Sequence, residues 1–190
     1  MNTRACTSAV IAFLVMLFLP AATRALQDRD HLTPQEVDLI KDTQILDKRI
    51  EVFIKAAERR VLVLTGSAAG SEKQLKKDSE KWGELPTGNP GELISDIARI
   101  FDEAITNIDD VSARDEKNPL IPKALRKLAA AATRIIEQVK PLGSKSNTSE
   151  TYSYDQLMEN AEAIVQAASK LPPEVAKKGK SKEEKPKTNN

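Results

Sequence analysis

Apolar positions recur at helical spacing through most of the chain. From Thr33 to Leu64 they fall at Val37, Ile40, Leu46, Ile50, Phe53, Ala57, Val61 and Leu64. Steps of three, four and six residues keep these side chains on one face of an α-helix. The start of this run carries its own signal. Thr33 can cap, Pro34 suits the first helical position, and Glu36 stands where a capping box needs an acid. No glycine and no further proline interrupts 34–64, so the pattern predicts one helix over 33–64, about 48 Å long if unbroken. A helix of that length must bend or overhang its partners.

The same grammar repeats downstream. Asn89-Pro90-Gly91-Glu92 is a second start signal, followed by Leu93, Ile97, Ile100, Phe101, Ala104, Ile108 and Val111. A helix over 90–112 follows. A third, over 119–140, has Pro119 or Pro122 in its first turn. Its buried face is Leu125, Leu128, Ala129, Ala132, Ile135, Ile136 and Val139, and Pro141 and Gly143 stop it. "SKSNTSETYS" (144–153) reads as a polar loop, and Ser153 as the cap of a fourth helix over 153–171, ended by Pro172-Pro173. Between the first two helices, "TGSAAG" (65–70) is a break and 71–82 a short charged helix. "WGELPTGNPG" (82–91) is a turn-rich connector. The expected fold is all-α: a four-helix bundle-like domain over 26–172, with a short extra helix in the 65–89 connector.

The two ends read differently. Residues 1–25 have a positive start, an apolar run from Ala5 to Leu19 and a small-residue end, "PAATRA". That is the layout of a secretory signal peptide cleaved after Ala25. The run is shorter than a bilayer span requires, and an uncleaved anchor is the alternative. Residues 173–190 are rich in Lys and Glu, with almost no apolar side chains after Ala176, and are expected to be disordered. The mature chain is therefore expected to be exported, periplasmic or secreted, with no transmembrane span.

Charge adds organisation. Over 90–111 six acids face one base, and over 120–140 five bases face one acid. The second and third helices are thus expected to lie antiparallel as charge-matched neighbours. Without Arg4 and Arg24 the chain has 27 bases and 28 acids, a balance that gives no case for nucleic acid.

Candidate chemistry is thin. The only cysteine, Cys6, falls in the signal, which excludes disulfides, thiolate metal sites and cysteine nucleophiles from the mature chain. The only histidine, His31, precedes the first helix and reads as a surface residue. A helical di-iron site needs Glu-x-x-His pairs, and none exists. Asp109, Asp110, Asp115 and Glu116 are the densest acidic patch, but Arg114 and Lys117 interrupt it and no calcium-loop spacing is met. No Gly-x-Ser-x-Gly and no phosphate-binding glycine loop occurs. Arg59-Arg60, Lys76-Lys77 and the lysines of 177–187 read as solvated, with peripheral membrane contact through the tail as the alternative. Asn147-Thr148-Ser149 fits a glycosylation sequon, which matters only in a eukaryotic secretory pathway.

These observations point away from an enzyme, with no cofactor and no metal. They favour an exported interaction or structural module of the envelope or periplasm, with a ligand- or lipid-binding bundle as the alternative. Candidate partner contacts are Trp82, Asp110, Arg114, Asp115 and Lys117. Trp82 reads either as a partner anchor or as a ring folded back onto the bundle. Through "KWGELPTG" (81–88) and "NIDDVSARDEKNPLIPKALRKLAAAATR" (107–134) the chain resembles uncharacterised exported helical proteins of bacteria. That resemblance implies an all-helical exported domain and assigns no activity.

Overall fold

The computed structural model describes residues 30–67, 72–143 and 148–173. The signal, 1–25, and residues 174–190 of the tail lie outside these. Six helices follow in order: α1 (Pro34–Asp42), α2 (Leu46–Leu64), α3 (Glu72–Trp82), α4 (Pro90–Arg114), α5 (Leu120–Gly143) and α6 (Thr148–Ser169). No strand occurs among the described residues. None of these helices is long and apolar enough to cross a membrane.

Both capping boxes form. The Glu36 amide donates to Thr33 Oγ1 at 3.3 Å and the Thr33 amide to Glu36 Oε2 at 2.9 Å. Asn89 and Glu92 repeat the arrangement at 2.9 and 2.8 Å. In both helices a proline follows the cap, where its missing N–H is no loss.

The single helix expected over 33–64 is two. Thr43 closes α1 in an extended conformation, with φ −93° and ψ 98°, and its hydroxyl donates to the Leu39 carbonyl at 2.7 Å. Arg49 Nε then donates to the Thr43 carbonyl at 2.7 Å, which ties the start of α2 to the end of α1. Neither glycine nor proline is needed for this break. A β-branched threonine whose hydroxyl occupies a carbonyl one turn back ends the first helix, and Arg49 holds the corner.

The other boundaries shift less. α4 and α5 run to Arg114 and Gly143, slightly past their expected ends, and Pro141 sits inside the last turn of α5. α6 begins at Thr148, five residues before the expected cap at Ser153. Nothing in 148–152 breaks a helix, so the polar residues taken for a loop continue it. The sequon residue Asn147 lies outside the described residues.

The four long helices close around one core in the order α2, α4, α6, α5. Ile50, Phe53, Ala57 and Val61 of α2 meet Ile97, Ile100, Phe101 and Ala104 of α4. Ala124, Leu128, Ala132, Ile135 and Val139 of α5 and Leu157, Ala161 and Ile164 of α6 complete it. α4 and α5 barely touch, because they stand on a diagonal of the bundle. This corrects the expectation that their opposite charges make them packed neighbours.

The bases of α5 instead meet α2. Lys123 and Lys127 contact Asp47 at 2.6 and 2.9 Å, Lys127 also contacts Glu51, and Arg134 contacts Glu58 at 3.1 Å. Residue numbers rise together along both helices, so α2 and α5 run parallel. Contacts of Arg49 with Asn107 and of Arg60 with Asp96 show α2 and α4 antiparallel. Hydrogen bonds from Lys123 and Lys127 hold the Asp47 carboxyl down, at about 2. Lys127 likewise holds Glu51 below the usual carboxylate range. Burial pulls Lys127 down, but its bonds to Glu51 and Asp47 outweigh that and leave it raised.

The signs of these shifts set a test. A carboxyl whose folded value lies below its unfolded one stabilises the fold above the unfolded value and loses that contribution as pH falls through the folded value. Asp47 moves from 3.8 to about 2, so its window lies between those values. Asp47→Asn should lower stability at pH 6 by about 1 kcal/mol, since its lysine partners are partly exposed. In thermal melts that gap should narrow below pH 4 and close near pH 2.

Candidate functional site

Arg59 and Arg60 are neighbours on α2, and both are buried. Consecutive helical residues point in directions about 100° apart, so the two guanidinium groups reach different partners. Arg60 is 1% exposed. Its Nη1 donates to Glu36 Oε1 at 2.7 Å and to the Ala56 carbonyl at 2.8 Å, and its Nη2 to the His31 carbonyl at 2.6 Å. Its Nε lies 3.8 Å from Asp96 Oδ2 of α4. Glu36 is fully buried, so one carboxylate oxygen caps α1 while the other holds Arg60.

Arg59 faces the connector. Its guanidinium donates to the carbonyls of Trp82, Gly83 and Glu84, and its Nε lies 3.7 Å from Glu36. It also stands 5.8 Å from the centroid of the Trp82 ring, which Lys81 approaches at 5.9 Å. Such cation–ring contacts are attractive when the cation is desolvated. Burial pulls the Arg59 guanidinium below its usual value, partly offset by Glu36. The connector is tightly seated. Gly83 has φ +68°, a conformation that other residues rarely adopt, so glycine is favoured there, and the Gln35 side chain of α1 lies against it.

Several sequence readings are corrected by this arrangement. Arg59-Arg60 is not a solvated face, and His31 is not a surface residue. The heptad run Phe53, Ala57, Arg60, Leu64 places Arg60 on the apolar face of α2, and Leu93, Asp96, Ile97, Ile100 does the same for Asp96 in α4. A charge standing on the core stripe was the available signal.

Trp82 is buried, the folded-back alternative of the sequence reading. Asp110, Arg114, Asp115 and Lys117 are all exposed at the corner between α4 and α5. Arg114 Nε bonds back to the Asp110 carbonyl at 2.9 Å and closes the end of α4. Asp109 and Glu116 are exposed there too. Leu120 and Ile121 tuck the corner against the core, and Asn118 Oδ1 accepts from the Leu120 amide at 3.0 Å.

A cleft of about 590 Å³ opens between α2 and α3. The Lys55–Asp78 pair at 3.0 Å spans it, and Arg59, Leu62, Ser79 and Leu85 contribute to its walls. None of the acids of 109–116 lines it. Among the described residues no three His, Cys, Asp or Glu side chains converge as metal ligands would. No family model, curated protein or solved structure matches the chain.

Removing one member of a buried ion pair strands the other, at a cost of about 3–5 kcal/mol. Glu36→Ala should cost that much in urea unfolding, because it strands Arg60 and removes the Glu36 half of the α1 capping box. The double variant Glu36→Ala/Arg60→Ala should lose clearly less than the sum of the two single losses. A strictly additive cycle would show that the pair is not coupled.

Proposed function

We propose that this chain is a non-enzymatic helical module, exported, that acts by contact with another molecule of the cell envelope. The observation that carries the reading is the use made of its enclosed charges. Glu36, Arg59 and Arg60 are bonded to one another and to backbone carbonyls, so their role is to hold segments in place. The acids of 109–116, the best catalytic candidates of the sequence, are solvated at a corner. We assign the contact to that corner, where Asp110, Arg114, Asp115 and Lys117 stand together in solvent.

A second reading, a bundle that binds a small ligand or lipid, is favoured by the cleft beside α3. The cleft does not occupy the alanine-rich core, where Ala124, Ala131, Ala132 and Ala161 are buried. A ligand would sit between α2 and α3.

The two readings separate in one set of measurements. The mature chain and a variant carrying Asp110→Lys, Arg114→Glu, Asp115→Lys and Lys117→Glu are immobilised and exposed to envelope extract. A species captured by the first and lost from the second, at unchanged melting temperature, supports the contact reading. Identical capture by both overturns the corner. Native mass spectrometry with envelope lipids should show no retained ligand, and thermal shifts should stay within about 1 °C. A retained lipid with a larger shift favours the cleft. The exported protein should begin at Leu26, and a secreted or membrane fraction that keeps Met1 would mean an anchor.

A further inference from the structure

His31 is buried, yet neither of its ring nitrogens has a hydrogen-bond partner. Its backbone is fixed, because its carbonyl accepts from Arg60 Nη2. Its side chain is 11% exposed, and Nε2 lies 3.5 Å from Glu103 Oε2 of α4, beyond good hydrogen-bond length. A neutral imidazole here encloses a donor and an acceptor, both unused. A protonated one presents two donors, with one already facing a carboxylate.

We propose that His31 and Glu103 form a pH-sensitive latch on the segment 31–42. Protonation of His31 draws its ring onto Glu103 and tightens the segment against α4. Deprotonation returns the mismatched contact and loosens it. Histidine is the side chain whose charge changes in the range where such a switch is useful.

The surrounding charges fit this direction. The enclosed charges of the neighbouring elements are Glu36 of α1, Arg59 and Arg60 of α2 and Asp96 of α4, of which Arg60 reaches the His31 carbonyl. These four enclosed groups are two acids and two bases paired among themselves, whereas the Glu103 carboxylate stands 3.5 Å from the ring. Arg49 of α2 is held by Asn107 and the Thr43 carbonyl, one turn beyond Glu103. Arg99 stands four residues before Glu103 on α4, at a spacing from which a cation can reach it. Glu103 is itself partly exposed, so it can be altered without opening the core.

The segment the latch controls is held by few contacts. Leu32 enters the core, Val37 and Ile40 lie at its edge, and Glu36 and the His31 carbonyl hold Arg60. Tightening it secures the cover over the Arg60 cluster. Loosening it lets that cover, closed over Arg60 in this structure, open more often.

The test is amide hydrogen exchange on the full chain at pH 8 and pH 5.5, corrected for the intrinsic pH dependence of exchange. Protection of amides 36–42 should rise about threefold or more on acidification, in step with the His31 ring 15N shifts, while protection in α6 does not change. Glu103→Gln should abolish the rise and leave the fold intact, and His31→Gln should do the same. A rise that survives Glu103→Gln, a rise shared equally by α6, or no rise in the wild-type chain would each overturn the latch.

Discussion

The contact between Glu36 and Arg60 decides how the first third of the chain is arranged. The two residues are 24 apart, and in a straight helix they would stand about 36 Å from each other. They are 2.7 Å apart. The chain must therefore turn back between them, and the break at 43–45 is where it does so. Thr43 and Arg49 make the turn locally feasible, and the ion pair makes it necessary. Beside it, Arg59 holds three successive carbonyls of the connector after α3. Two consecutive residues on α2 thus fix both the segment before the bundle and the segment that leads into α4.

Enclosing such charges is expensive, and well-packed apolar residues often serve stability as well or better. Shape explains what the charged version adds. An apolar stripe on α1 would let that short helix slide or rotate over α2, since its own apolar contribution to the core is Val37 and Ile40 at the edge. A guanidinium that must meet the Glu36 carboxylate and the carbonyls of His31 and Ala56 accepts one position. The Glu36 carboxylate is constrained from its other side as well, because it closes the capping box of its own helix. Local capping and long-range pairing then agree on one geometry, which is what a uniquely specified fold requires.

Much of this was legible in the sequence, and the residues show why the rest was not. The starts of α1 and α4 were legible because their caps are local. Thr33-Pro34-Gln35-Glu36 and Asn89-Pro90-Gly91-Glu92 contain every atom that their geometry uses. The core was legible because its period is local too, and Ile50, Phe53, Ile97, Phe101, Leu128 and Leu157 are all buried as spaced. The break at Thr43 was not, because it answers a contact with a residue two dozen positions away. Arg60 and Asp96 stand on apolar stripes, yet a charge on a stripe shows only that it must find a partner. The exposed corner of Asp110, Arg114, Asp115 and Lys117 was legible as a turn.

The pairing of charge between helices failed as a guide for a related reason. Net charge is a property of a whole helix, whereas contact depends on which face is presented. Lys123, Lys127 and Arg134 of α5 are spaced four and seven apart, and Asp47, Glu51 and Glu58 of α2 have the same spacing. Two helices that carry matching ladders in the same order can pair only if they run parallel. Parallel packing sets their dipoles side by side, an arrangement that the backbone alone disfavours. The ladder offsets that and steers α5 to α2 rather than to the acidic α4. The short corner from α4 must then cross the bundle diagonally, and Asp102, Asp109 and Asp110 of α4 are left in solvent while Asp96 turns inward to Arg60. Asp155, Glu159 and Glu162 of α6 are exposed as well. The charge asymmetry of the fold is thus a consequence of one matched spacing, not of the overall composition, which is balanced.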